Sequence, residues 1–229
     1  MNTQTVEIEH ADRMDRMYRY VRHVYDASRK YYLLGRDRLL RQMDLPSGAT
    51  VCEVGCGTAR NLLKLHESRP DLRLFGVDAA ASMLETAAGR ITKRGAGDRI
   101  VVRRGLAEQL DRREMFGLDE PFDAVFFSYA LSMMPTWREA IDAALLNVAS
   151  GSKVYIVDFC DLAEYPRWCA AALRKWLDLF GVHHRPELLE HLHGLRAAGR
   201  CELGLSMLYR RYAYIATLRR TDVAPGLLD

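Results

Sequence analysis

The chain has 229 residues, 49% of them hydrophobic and 28% charged, with a formal net charge of +3. That length suits one large domain with an added element, and the composition is that of a globular protein with a core of its own. The net charge is too small to signal nucleic acid as a partner, and the longest apolar run, 124–135, is broken by Ser128 and Ser132 and is too short to cross a bilayer.

In chain order, residues 1–20 carry several charges and no apolar stretch, which predicts no signal peptide. Residues 12–43 lack proline and keep a helical period, which predicts one helix. Tyr18, Arg22, Tyr25, Arg29, Tyr32 and Arg36 form one stripe along it, beside an apolar stripe of Met14, Met17, Val21, Val24 and Tyr31. Two readings stand for the first stripe: a solvated arginine face shielded by tyrosines, or a lid that closes a site. Pro46, Ser47 and Gly48 turn the chain into a strand at 50–55, followed by a helix at 58–68 and a turn at Pro70-Asp71. A strand at 72–77 and a helix at 80–93 follow, the helix ended by Gly95 and Gly97. Strands at 99–104 and 122–128, a helix at 136–149 stopping before Gly151, and a strand ending at Asp158 complete the alternation. Such alternation predicts a parallel sheet covered on both faces. Helices at 162–180 and 186–197 and two strands within 200–219, turning near Tyr209-Arg210, close the described pattern.

The five cysteines form no C-x-x-C pair and read as reduced, mostly buried thiols, which predicts a cytoplasmic setting. His183, His184, His191 and His193 match no zinc spacing, so no metal is expected.

The most informative segment is E-V-G-C-G-T at 53–58, read with F-G-V-D at 75–78. A buried strand enters a glycine turn, and the next strand ends in an acid. This is the arrangement of a nucleoside site whose ribose diol is held by a carboxylate. Arg60 stands where a dinucleotide fingerprint has its third glycine, and no lysine precedes Thr58, so neither that fingerprint nor a phosphate-cradling loop is complete. Taken singly, Asp78 also reads as a helix cap, and Met83 and Leu106 as ordinary core.

On these motifs, residues 45–160 resemble the class I S-adenosylmethionine-dependent methyltransferases. The resemblance implies a Rossmann-like, doubly wound α/β sheet of seven strands, the last antiparallel, with an N-terminal helical lid and a helical segment inserted after strand five. It divides the chain into a lid over 1–46 and a methyltransferase domain over 47–229, with the insertion at about 161–198. It implies S-adenosyl-L-methionine as cofactor. Glu53, Gly55, Gly57 and Thr58 would lie against its amino-acid part, Asp78 and Ala79 against the ribose, and Met83, Leu106, Ala107 and Glu108 around the adenine. Ser128 and Tyr129 would face the sulfonium.

The segment M-D-R-M-Y-R-Y-V-R-H-V-Y-D-A-S-R-K-Y-Y-L-L-G-R-D-R-L, beginning at Met14, further resembles the opening of the bacterial betaine-lipid N-methyltransferases of the BtaB type. That resemblance implies three methyl transfers to the amine of diacylglyceryl-homoserine, with Tyr25, Arg29, Tyr32 and Tyr129 in the active site. A lipid substrate implies contact with the inner membrane face, for which the stretch 165–180, with Trp168 and Trp176, is the candidate; the other reading of that stretch is a helix packed on the sheet. Other lipid amines such as phosphatidylethanolamine, a quinone ring, or a non-catalytic cofactor-binding scaffold are the alternatives.

Overall fold

The computed structural model describes residues 32–178 and 185–221. Seven strands form one sheet: β1 (Thr50–Val54), β2 (Arg73–Asp78), β3 (Ile100–Arg104), β4 (Phe122–Ser128), β5 (Val148–Phe159), β6 (Cys201–Leu208) and β7 (Ala213–Arg220). Their order is β3-β2-β1-β4-β5-β7-β6. The pairs from β3 through β5 are parallel, whereas β7 runs antiparallel to both β5 and β6. This is the expected doubly wound sheet with its last strand antiparallel. The chain winds to one side through β1, β2 and β3, then returns to lay β4 on the other side of β1. That reversal opens a crevice above the carboxyl ends of β1 and β4.

Seven α-helices are described, α1 (Arg36–Gln42), α2 (Arg60–Ser68), α3 (Ala81–Lys93), α4 (Arg112–Phe116), α5 (Trp137–Asn147), α6 (Arg167–Asp178) and α7 (Pro186–Ala197), and a 3-10 turn at Ala107–Gln109 joins β3 to α4. A second 3-10 turn, Leu131–Met133, follows β4. Successive strand residues point to opposite faces, so β1 sends Val51 into one apolar layer and Cys52 and Val54 into the other. The first layer holds Leu39 of α1, Leu62, Leu63 and Leu65 of α2, and Leu177 of α6. The second holds Trp137, Ile141 and Leu145 of α5 and Leu188, Leu192 and Leu195 of α7.

Three departures from the sequence reading have local causes. The helix expected over 12–43 is interrupted within its described part: residues 33–35 form a turn, Gly35 adopts a left-handed φ of 88°, and α1 starts at Arg36. The rest of that expectation, with Tyr25 and Arg29, lies outside the described residues. The helix expected over 136–149 ends at Asn147, and β5 begins at Val148, earlier than its apolar run. A register shift between Phe122 and Ala124 of β4, with Gly151 at φ 75°, carries the strand past the glycine expected to mark only a stop. Finally, α4 was not anticipated. Its five residues are short for periodicity to register, but the Asp111 carboxylate accepts from the backbone N–H groups of Arg113 and Glu114 and caps it.

Four of the five cysteines are buried and Cys169 is partly so; all are free thiols. No helix among the described residues is long and apolar enough to cross a membrane.

Candidate cofactor site

At the crevice, the loop after β1 is pinned from below. The N–H groups of Gly55 and Cys56 donate to the Val77 carbonyl at 2.8 and 3.1 Å, binding the loop to the end of β2. Gly55 has φ 76°, and a Cβ there would lie 2.6 Å from Ala130 Cβ, so the post-β4 turn closes directly on it. Gly57 also takes a left-handed φ, 52°, yet a Cβ there would meet nothing within 4 Å. One glycine is needed for close packing of protein on protein; the other borders open space, as a backbone cradle for a ligand does.

Asp78 ends β2 where the reading placed it. One carboxylate oxygen accepts from Gly57 N–H at 2.7 Å and the other from Ala80 N–H at 2.9 Å. Asp78 is not the cap of α3, whose N-cap residue is Ala80 with no side-chain cap bond; its bond to Ala80 N–H turns the chain just before that helix. The carboxylate is half-buried and held in a fixed orientation at the end of β2 by these two bonds. Ala79 follows it and accepts from Arg104 Nε at 3.2 Å.

Glu53 is buried, at 2% exposure. Its Oε1 accepts from Asn61 Nδ2 at 2.7 Å, while Oε2 is enclosed without a hydrogen-bond partner. Burial pushes this carboxyl up to about 8, against the opposing Asn61 hydrogen bond and the nearby Arg36 charge. An orphaned, desolvated acceptor beside a glycine cradle is what an ammonium group would satisfy. Ser128, at the end of β4, likewise has its Oγ enclosed and unpartnered. Thr58 is buried and accepts from Arg90 at 2.8 Å.

The remaining positions of the reading line the next two loops. Met83 is buried near the start of α3. Leu106 is extended just before the 3-10 turn, Ala107 is buried in it, and Glu108 stays partly exposed. These eleven positions gather at the carboxyl ends of four adjacent strands, the region where an S-adenosyl cofactor would be held. Asn61 and Arg90 join them. Neither carried a motif signal; Asn61 is visible only as the helix position that reaches back over Glu53.

Tyr129 follows directly on β4, and its side chain is held by the protein. Its φ is 56°, left-handed for a bulky side chain. The ring is buried, packs on Phe159 at 4.6 Å between centroids, and its hydroxyl donates to the Leu34 carbonyl. Phe159 in turn meets Tyr212 at 5.8 Å, and the Tyr212 hydroxyl donates to the Tyr32 carbonyl at 2.8 Å. Tyr32 is buried too, edge-on to Trp176 at 5.2 Å. A buried phenol must find an acceptor, and the carbonyls of Tyr32, just before the turn at 33–35, and Leu34, within it, serve two of them. Tyr32 and Tyr129 thus meet in one aromatic cluster that seats the entry to α1. His191 lies edge-on to Trp137 at 5.3 Å; His183 and His184 lie outside the described residues.

Comparison with known proteins agrees with this geometry. Residues 51–152 match the family described as "Methyltransferase domain". The carboxy-S-adenosyl-L-methionine synthase of Campylobacter concisus is 36% identical over 113 residues, which cover 49% of this chain and 44% of that protein. The enzyme of the same name from Campylobacter jejuni is 54% identical over 43 residues, 19% of this chain and 18% of its own. The matches thus span less than half the length of these curated relatives. Among solved structures, the cyclase SpnF superposes with a TM-score of 0.72 at 16% identity, covering 92% of this chain and 97% of its own. Mitomycin 7-O-methyltransferase MmcR gives 0.70 at 16%, covering 92% and 60%. At such identities the superpositions speak for the fold alone, and a cyclase among them is a reminder that the fold hosts more than one reaction.

Proposed function

We propose, from the premise that residues 51–152 form a class I S-adenosylmethionine-dependent methyltransferase domain, that this chain N-methylates a lipid amine, with diacylglyceryl-homoserine as the substrate its N-terminal segment favours. The observation that carries the cofactor part is the convergence of Glu53, the open Gly57 cradle and Asp78 at the crevice. The substrate part is carried by the resemblance of the Tyr/Arg-rich segment beginning at Met14.

The residues fit such a cofactor. Glu53 Oε2 offers an unpaired acceptor to its ammonium, Gly57 a bare backbone to its chain, and Asp78 a carboxylate fixed at the end of β2 for its diol. When bound, the cofactor supplies an electrophilic methyl group on sulfur. The protein's task is then to hold a neutral amine in line with it, and positioning supplies much of the acceleration. An α-amino group with a pKa of about 8 is substantially neutral near pH 8, so no strong base is required. Aromatic faces stabilise the nitrogen as it becomes quaternary, by about 0.5–2 kcal/mol each. We assign that role to the tyrosines among Tyr25, Arg29, Tyr32 and Tyr129, the positions that the sequence reading put in the active site.

A second reading has its own support: curated relatives from several Campylobacter species are named carboxy-S-adenosyl-L-methionine synthases. In it, the same crevice would modify the cofactor itself. Incubation with methyl-labelled S-adenosylmethionine and extracted lipid separates the two. Label in the betaine-lipid band supports the first reading. Label in phosphatidylethanolamine derivatives or a quinone moves the substrate. A carboxylated cofactor by mass spectrometry when a carboxyl donor is added to a parallel incubation, with unlabelled lipid, replaces the first reading by the second.

A further inference from the structure

The loop between β6 and β7 lies at the same end of the sheet as the cofactor crevice. Phe159, the last residue of β5, pairs with Ala213, the first of β7, and Leu208 pairs with Ala213 from the other side. The turn at 209–212 therefore projects beyond the carboxyl end of β5. Tyr209, Arg210 and Arg211 all take left-handed φ values, 50°, 55° and 61°, a run that bulky residues rarely adopt together. The turn is held by its neighbours: Arg211 Nε donates to Asp161 at 2.7 Å, Tyr165 Oη donates to the Tyr209 carbonyl at 3.2 Å, and the Arg210 guanidinium lies over the Tyr165 ring at 5.3 Å. Tyr165 is two residues before α6, so the turn and the start of that helix form one braced rim.

The rim shows its apolar groups to solvent. Trp168 is 77% exposed and Tyr209 50%. On α6 the inward face is Ala170, Leu173 and Leu177, packed on the core, which meets the helix's need for burial. Trp168 is left on the opposite face with Lys175 seven residues on. Cations outnumber acids along the rim: Arg167, Arg174, Lys175, Arg210 and Arg211 against Asp161, Glu164 and Asp178, with Asp161 already paired to Arg211.

We propose that this rim is a membrane-docking surface for anionic bilayers, in which Trp168 and Tyr209 enter the headgroup region while Arg167 and Lys175 meet lipid phosphates. The inference rests on the lipid-substrate reading and extends it, adding the β6–β7 turn as a second contact beside the helix. Amphipathic aromatics flanked by basic side chains suit that interface, where a ring has an apolar body and a polar edge, and surface cations add attraction to an anionic leaflet. Docking by this rim would bring the crevice mouth to the bilayer, because both lie at the carboxyl end of the parallel strands.

Sedimentation with sucrose-loaded vesicles tests it, using phosphatidylcholine with and without one-third phosphatidylglycerol. The wild-type protein is expected to co-sediment with the anionic vesicles at low salt and to be released as salt rises. Trp168→Ala with Tyr209→Asn, the latter tolerant of the left-handed backbone, is expected to weaken partitioning about tenfold or more, and Arg167→Glu with Lys175→Glu comparably. Both pairs replace exposed side chains, so calorimetric affinity for S-adenosylhomocysteine should be unchanged. Failure of the wild type to bind anionic vesicles at low salt, or undiminished binding by both double variants, overturns the docking surface. Methyl transfer to a water-soluble homoserine analogue reads the catalytic proposal separately, since it needs no vesicle.

Discussion

At the scale of the residue, Glu53 is the group with the sharpest consequence. Its carboxyl is held near 8 by burial, against an ordinary value of 4.5. Folding therefore takes up a proton between pH 4.5 and 8, and stability of the ligand-free protein falls as pH rises through that window. The Glu53→Gln variant is predicted to flatten this slope and to match or exceed the wild type in stability near pH 8, by a margin on the order of 4 kcal/mol; urea unfolding at a series of pH values measures it. An ammonium arriving at Oε2 reverses the preference and ionises the carboxyl. Binding of S-adenosylhomocysteine near pH 7 should accordingly release protons, so its calorimetric enthalpy should differ between phosphate and Tris buffers for the wild type and not for Glu53→Gln. Equal enthalpies in the two buffers for the wild type would show that Glu53 does not meet the ligand's amine. The sequence marked Glu53 by its motif, but the burial that makes it a proton acceptor depends on Asn61 and on strands far away in the chain. Tyr129 illustrates the same limit: its neighbours in sequence suggest a site, while the partner of its hydroxyl, the Leu34 carbonyl, lies on an element that only the folded sheet brings near.

At the scale of the element, helices and strands with a clean period were legible, and those shaped by a glycine or a single cap were not. The boundaries of β4 and α7 agree with the reading because an apolar run and Pro186 at the first turn fix them. The start of α1 did not, because Gly35 and two phenol-accepting carbonyls favour a turn where periodicity alone continues. What holds α1 once started is Asp37, which pairs with Arg60 at 2.7 Å and with Lys64, tying it to the helix that follows the cofactor loop. Burial opposes ionisation there, yet the hydrogen bonds from Arg60 and Lys64 hold the carboxyl down to about 2. A depressed carboxylate stabilises above its ordinary value and loses that contribution as pH falls from 3.8 toward 2. Because these side chains are more than a third exposed, solvent screening limits the effect, and Asp37→Asn is predicted to cost only about 0.5–1 kcal/mol at pH 7 and almost nothing near pH 2. Thermal melts of both proteins at the two pH values give the comparison.

At the scale of the whole molecule, a parallel sheet covered on both faces was readable from alternation, whereas its doubly wound order with the last strand antiparallel came with the family resemblance, because crossover handedness alone does not fix on which side the next strand is laid. From that order follows the crevice, and from the crevice the gathering of four loops that are far apart in sequence. The rim of α6 and the β6–β7 turn follows in the same way, as the antiparallel hairpin returns its turn to the carboxyl end of β5. The substrate is less legible, because it rests on the N-terminal segment and on chemistry above the sheet that the fold does not dictate. The claim on which everything else stands is that the loop after β1 and the acid ending β2 hold an S-adenosyl nucleoside. Isothermal titration of S-adenosylmethionine into the wild type and into Asp78→Ala tests it most directly. The account predicts saturable one-site binding to the wild type and a loss of about tenfold or more in the variant, which forfeits the diol's acceptor and the bond to Gly57 N–H. No binding by the wild type, or equal affinity in the two proteins, would contradict it.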